Sequence, residues 1–435
     1  MSFWWDSIGG LRRTHDPLDG PLECDVAIVG GGYTGLWTAL ELRRADPSLD
    51  VVVLEREACG FGASGRNGGW LSGELAGAPS PALTDAIRAT VDEAIAAIER
   101  EGIDCDLVKG GTLSVAVDPV NEARLRSDDA NKSEPLMAAR GSWIDADELA
   151  TRVRVAGARG ALFDDACARI QPAKLVRGLA QAAERAGARI YEGTEVTAVE
   201  PHVARTAAGD VRARWVVRAT EGYSPDGLVA PISSSMIATE PLPPATWEEI
   251  GWQGCETMMG AAHAYTYLQP TADGRIAIGG RGTPYRWHGA NARMTRPDDS
   301  TIAALRARLD ALFPAAAGIP TAAAWTGVLG VSRDWTPAIR ADPATGLAFA
   351  GGYVGEGVAA SNLAARTLRD LILRHDTELT RLDWVGHESP RWEPDPLRWV
   401  GIRGVYMLYR AADRSEARSG KPSRWAALAG RIAGR

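Results

Sequence analysis

Gly30, Gly32 and Gly35 stand in the spacing G-x-G-x-x-G, and Glu55 follows twenty residues after the last of them. Each has a mechanical task if the chain grips a dinucleotide. The first glycine permits a tight turn, the second lets the backbone approach a pyrophosphate, and the third lets a helix pack closely on a strand. Tyr33 and Thr34 open that helix, whose first turn offers unpaired N–H groups and a partial positive charge to phosphate. The Glu55 carboxylate can accept hydrogen bonds from ribose hydroxyls and disfavours a 2′-phosphate, which predicts FAD or NAD rather than NADP. Arg56 beside it weakens that exclusion and belongs with the same group.

A second constellation runs from Gly60 to Trp70 and contains Ala63, Ser64, Arg66, Asn67, Gly68 and Gly69. A nicotinamide-binding domain has no need of such a loop at this place. A third glycine cluster, Gly352, Tyr353, Gly355 and Gly357 followed by Val358, stands between an apolar run and a helical pattern near the other end of the chain.

The elements that must position these residues are legible from apolar spacing. Asp25 to Val29 reads as a strand, Leu36, Ala39 and Leu40 as one face of a helix, and Val51 to Leu54 as a fully buried parallel strand, a βαβ crossover. Ile87, Val91, Ala94, Ile95 and Ile98 mark a long helix after Pro81 that stops at Gly102, and another starts after Pro172 and ends at Gly187. Residues 110–117 read as a strand and 127–141 as a polar loop. A hairpin is expected to turn at Gly209 and Asp210 before the strand 215–220, and residues 225–320 read as antiparallel sheet. The strand 347–350 leads into a helix through Leu363, Leu368 and Leu371.

The segments DVAIVGGGYTGLWTALEL, VVVLERE and GFGASGRNGGW, with ARIQPAKLVRGLAQAAERAGARIYEGTEVTAV, WVVRATEGY and AFAGGYVGEGVAASNLAARTLRDLI, resemble the FAD-dependent D-amino acid oxidase, glycine oxidase and sarcosine oxidase superfamily. Within it the chain is most similar to the branch containing gamma-glutamylputrescine oxidase, and the resemblance runs to about Leu373. It implies that Glu55 holds the adenosine ribose and that Ser64, Arg66 and Asn67 lie along the pyrophosphate and flavin. It also implies that Val196 meets the adenine, that Ala219 and Thr220 approach the phosphates, and that the late glycine cluster stands at the pyrimidine end of the isoalloxazine. A helix N-terminus there stabilises negative charge on the reduced ring.

Two departures from the family pattern bear on substrate and acceptor. Amino acid-oxidising relatives carry an arginine after W-x-G; here Leu329 occupies that place after Trp325-Thr326-Gly327, and Arg281 or Arg333 would have to substitute. Sarcosine oxidase-like relatives place a lysine over the flavin, whereas the four lysines here are Lys109, Lys132, Lys174 and Lys421, none in the middle section. No cysteine follows Cys255, so non-covalent FAD is expected. His263, Tyr265, Tyr267, Trp325 and Arg281 are the candidate catalytic residues, as pocket walls and as a cation for oxygen or another acceptor.

Composition bounds the rest. The 435 residues, 45% apolar and 24% charged, make an ordinary globular protein of two or three domains. A net charge of −7 argues against nucleic acid as a partner. Five scattered cysteines and six scattered histidines show neither a disulfide framework nor a metal motif. The absence of a secretory pattern and of an apolar run of spanning length leads to a cytoplasmic expectation. Residues 397–435 hold nine basic and two acidic residues, +7, leaving −14 for the remainder; this basic amphipathic tail is expected to dock on the acidic body, with a second subunit or a membrane surface as alternatives.

The expected fold is thus α/β: a discontinuous Rossmann-type FAD-binding domain (1–80, 160–224 and 322–395) with an inserted antiparallel-sheet α+β substrate domain (81–159 and 225–321), followed by the tail at 396–435. The expected activity is oxidation of a C–N bond in an amine or N-substituted amino compound. An NAD-dependent dehydrogenase and a non-catalytic dinucleotide-binding interaction protein are the rival readings.

Overall fold

Val51–Leu54 is buried at every residue. The run has no polar face because it lies inside a parallel sheet covered on both sides. It pairs in parallel with Leu22–Val29 and with Arg189–Tyr191, and Leu22–Val29 pairs in parallel with Gly209–Arg218. Leu347–Gly351 continues the parallel order beyond Gly209–Arg218, and Ala338–Asp342 closes that edge antiparallel. The structure, a computed structural model, describes residues 1–77, 79–130, 141–224, 227–289 and 296–433.

Tyr33–Ala45, Pro81–Arg100, Pro172–Arg185 and Gly357–Leu373 pack together over one face of this sheet. Their apolar stripes form the largest core, with Leu36, Leu40, Ile87, Val91, Leu179, Leu363 and Leu368 all at or near zero exposure. The predicted stops hold for a backbone reason: Gly102 (φ 63°) and Gly187 (φ 97°) follow the last helical turns in the left-handed region that closes a helix.

The second sheet also has eight strands, in the order Thr321–Ser332, Val229–Thr239, Ile276–Gly280, Thr266–Pro270, Thr257–Gly260, Thr112–Ala116, Gly160–Asp164 and Ser142–Asp145. It is antiparallel except where Thr257–Gly260 runs parallel to Thr112–Ala116. A separate core lies beneath it, including Leu305, Leu309 and the stacked pair Trp252 and Phe313, 5.5 Å between centroids.

Several expectations shift. Gly160–Asp164 and Thr321–Ser332 belong to the second sheet, so the cofactor segments drawn as 160–224 and 322–395 each begin with a strand of the other layer. Their ladder partners, not their own sequence, decide this. The turn placed at Gly209 and Asp210 falls earlier: Gly209 opens a strand and pairs with Thr206, while Val203–Thr206 returns to Val196–Glu200. Of the polar loop at 127–141, residues 127–130 continue the helix Pro119–Ala130, and 131–140 lie outside the described residues.

The tail forms two helices, Leu397–Ser419 and Arg424–Ala433, packed on each other and on the body. Its apolar face supplies Ile402, Val405 and Tyr409. Among its anchoring polar groups are, against the sign of its charge, its two acids. Asp413 accepts from the His263 and Ala264 N–H groups (2.8 and 3.0 Å), and Glu416 pairs with Arg124 at 2.6 Å. No helix of the described residues is long and apolar enough to cross a membrane.

Candidate active site

The first glycine turn is held by backbone contacts that leave no room for a side chain. Gly30 has φ 111°, and a Cβ there would lie 2.6 Å from the Ala219 carbonyl oxygen; one on Gly35 would collide with the Gly30 carbonyl. Glu55 accepts from the Gly31 N–H at 2.7 Å through one oxygen and from the Glu57 N–H at 2.8 Å through the other. Burial pushes its carboxyl upward, and those N–H groups pull the other way. Ser64 accepts from the Tyr33 N–H at 2.9 Å, so the second loop caps the glycine helix.

These groups open on one cavity of about 820 Å³. Gly30, Gly32, Tyr33, Thr34, Glu55, Arg56, Ala63, Ser64, Asn67, Val196, Ala219 and Thr220 line it, and so do Tyr353, Gly355, Gly357 and Val358 from the far end of the chain. The other predicted cofactor residues stand behind it. Gly35 seats the helix on the turn, while Tyr267 covers Gly68 and Gln269 covers Gly69. Gly352 (φ 79°) donates its N–H to Glu221 at 2.9 Å. Arg66 is buried, donates to Phe61 O (2.7 Å) and Thr326 O (3.2 Å), and keeps one terminal nitrogen without a partner. An orphaned buried guanidinium nitrogen beside a cavity floored by two helix N-termini is the donor chemistry a dinucleotide diphosphate requires.

Three supporting features were not singled out from the sequence. Glu221 is half-buried, with φ 43°, and accepts from Gly352 N–H and, at 3.1 Å, from Tyr353 N–H; desolvation of its carboxyl lifts it to about 7 against those bonds. Thr194, Thr197 and Tyr223 also line the cavity. At the N-terminus Phe3, Trp4 and Trp5 are buried, and the Trp4 indole donates to Asn67 O at 2.9 Å while Ser2 Oγ donates to Gly65 O at 2.7 Å. An aromatic triplet at a chain end is the signal that was available for this clamp.

The candidate catalytic residues separate into two groups. Tyr265 and Arg281 line a second, small cavity of about 40 Å³ with Glu74, Val354, Glu356 and Tyr406. Tyr267 is half-buried and bonded to Ser234 Oγ at 2.7 Å, and desolvation of its hydroxyl lifts the phenol to about 12. Trp325, fully buried, donates to Arg66 O at 2.9 Å and packs on Trp4, behind the cofactor cavity rather than in it. His263 borders the small cavity, but its Nε2 is held by Glu416 (3.0 Å) and Arg124 (2.8 Å) and its ring stacks on Tyr409. His263, Asp413 and Glu416 bring ligand-type atoms within 4.8 Å of one another, and Arg124 supplies the positive charge there.

The segment 353–357 divides the two cavities. Tyr353, Gly355 and Gly357 face the large one, and Val354 and Glu356 face the small one. Val354 (φ 61°) sits in the left-handed region, an uncommon state for a β-branched residue and one that sets this alternation. Burial raises Glu356 to about 7 while Arg281 opposes it; burial and the charge of Glu356 raise Glu74 to about 8.

Fold and site together define a dinucleotide-binding flavoprotein oxidoreductase. The chain belongs to the DAO family of FAD dependent oxidoreductases, whose model matches residues 25–371. It is 33% identical over 386 residues to gamma-glutamylputrescine oxidoreductase of Escherichia coli, covering 83% of this chain and 86% of that one. To the glycine oxidase of Geobacillus kaustophilus it is 27% identical over 387 residues, 81% of this chain and 94% of that one. The crystal structure of glycine oxidase from the same organism superposes with a TM-score of 0.71 at 24% identity, over 86% of this chain and all of that one. The protein is therefore an enzyme that uses FAD, and the nicotinamide-dependent and non-catalytic readings are set aside.

Proposed function

We propose that the enzyme oxidises the C–N bond of an amine or N-substituted amino compound to an imine, which water then hydrolyses. The observation that carries this reading is the divided segment 353–357, which sets a small acidic cavity directly against the ring end of the cofactor cavity. FAD, held by the glycine turns and the loop that line the large cavity, would supply the two-electron acceptor for a hydride leaving the carbon next to nitrogen.

The chain's residues prepare that step. An ammonium group entering the small cavity meets Glu356 and Glu74, whose raised carboxyls can take up a proton near neutral pH and leave the amine neutral. Tyr265 and Tyr406 wall the place and keep water away. Arg281 lies beside Gly355, near Leu329, and supplies a cation close to where the relatives keep their arginine. The names of the two relatives, one acting on an amine and one on an amino acid, support the same substrate class.

Anaerobic mixing of the yellow holoenzyme with a panel of amines and amino acids, followed by air, tests the reading. Bleaching by an amine supports it, and recovery of colour in air names oxygen as acceptor; recovery only with an added dye names another. Colour unchanged by every amine and amino acid overturns it. Arg281→Ala should lower the bleaching rate with cofactor content intact.

A further inference from the structure

At about 40 Å³ the acidic cavity has room for a head group and a few waters and no more. The body of any substrate must lie elsewhere. A third cavity, of about 320 Å³, lies between the body and the C-terminal helices, and it shares Arg281, Trp335 and Tyr406 with the acidic one. Its walls are mostly apolar: Ile232 and Val331 from the second sheet, Trp392, and Ile402, Val405 and Ile432 from the tail helices. The charges around it are predominantly positive. Arg333 pairs with Glu393 at 3.1 Å and Arg398 with Asp395 at 3.5 Å, while Arg281 has no carboxylate within ion-pair distance among the described residues.

Resting on the proposed amine oxidation, we propose that this third cavity is the binding site for the distal part of the substrate, and that the substrate class is an amine carrying an elongated apolar stem. The amine sits between Glu74 and Glu356, the stem passes Trp335 and Tyr406, and the tail helices form its outer wall. A second ammonium at the far end would have to leave water for a mostly apolar lining in which Glu393 is already paired with Arg333, so long monoamines are favoured over diamines of equal length. Each methylene moved from water into such a lining strengthens binding about fourfold.

The sequence itself supplies a clean perturbation. Gly401 lines the cavity from the long tail helix, and a Cβ there meets nothing within 4 Å. Gly404, one turn on, is equally open but does not line it. Gly401→Leu therefore adds apolar bulk to the cavity lining at a position where the first carbon has room, Gly404→Leu is the control, and both replace a helix-interior glycine with a better helix former.

The test is calorimetric binding to the holoenzyme of α,α-dimethyl alkylamines of increasing chain length. These lack hydrogen on the carbon next to nitrogen and cannot be oxidised. Affinity should rise about fourfold per methylene until the cavity is full, should fall at least roughly tenfold when a terminal amine is added, and should become flat with length in Gly401→Leu but not in Gly404→Leu. Affinity independent of length, or a length dependence that survives Gly401→Leu, overturns the proposal. If the ligands bind as expected but the corresponding n-alkylamines never bleach the flavin, the cavity assignment stands and the proposed reaction fails.

Discussion

The side-chain oxygens of Thr34 and Tyr353 lie 3.2 Å apart and share a hydrogen bond. One belongs to the first turn of the early glycine helix and the other to the late glycine cluster, 319 residues on. Around this bond the two ends of the chain close on one cavity. Burial drives the Tyr353 phenol well above its ordinary range, so it stays protonated and can donate.

Tyr353→Phe should leave the fold intact and weaken the closure by about 0.5–1.5 kcal/mol, the net worth of one neutral hydrogen bond. The effect should be shared with Thr34→Ala, so the double variant should cost little more than either alone. FAD titration of the apoprotein, run as a double-mutant cycle, reads the coupling. Fully additive losses would show that the bond does not join the two halves of the site.

Glu55→Ala removes the carboxylate proposed to accept from the ribose, and with it the oxygens that hold the Gly31 and Glu57 N–H groups. FAD affinity should fall by about 1.5–3 kcal/mol, the range for hydrogen bonds to a charged group, and Glu55→Gln should recover part of it. Fluorescence of released flavin measures both. Undiminished affinity in Glu55→Ala would remove the carboxylate from the ribose.

Gly35→Ala sets a methyl against the Gly30 carbonyl. Backbone must move, at a cost of at least about 1–3 kcal/mol, and the helix N-terminus shifts away from the phosphates. The purified variant should have a low flavin-to-protein absorbance ratio. A normal ratio would show that the close packing of turn and helix is dispensable.

Glu356 titrates at about 7 in the folded chain against an ordinary 4.5. Folding thus favours its protonated form, so the stabilising contribution is complete below about pH 4.5 and is lost as pH rises through about 7. Glu356→Gln lacks that titration. Its melting temperature relative to the parent should increase from pH 5 to pH 7 and then level off; a difference that is constant with pH, or that shrinks, would contradict the burial of this carboxyl.

Trp4→Ala should cost about 3–5 kcal/mol, as for other buried tryptophans, and free the Asn67 carbonyl. Because the loop 60–70 rests on this plug, FAD should also dissociate faster. Thermal melts and flavin release separate the two effects. A lower melting temperature with unchanged release would limit Trp4 to packing.

The cofactor half of the site was readable because its logic is local. Gly30, Gly32, Gly35 and Glu55 fall within one strand, turn, helix and strand, and backbone geometry ties each residue type to its position. Glu221 was not readable: a lone acid after Thr220 acquires meaning only when the Gly352 and Tyr353 N–H groups arrive opposite it. The strands 160–164 and 321–332 misled for the same reason, since an apolar strand carries no mark of which sheet it will join. His263 looked available from its neighbours Tyr265 and Tyr267, yet the tail brings Glu416 to it from 153 residues away.

From its sequence alone this chain reads as a two-domain α/β protein built around a dinucleotide, because propensity, apolar period and glycine placement act over a few residues and survive without the fold. Only the tertiary structure decided which face of 353–357 lines the large cavity and which meets Glu74 and Arg281, and that the two acids of the basic tail are among the groups that anchor it. Those outcomes depend on burial and pairing summed over segments hundreds of residues apart, where small differences in packing select one arrangement among many that the local sequence permits.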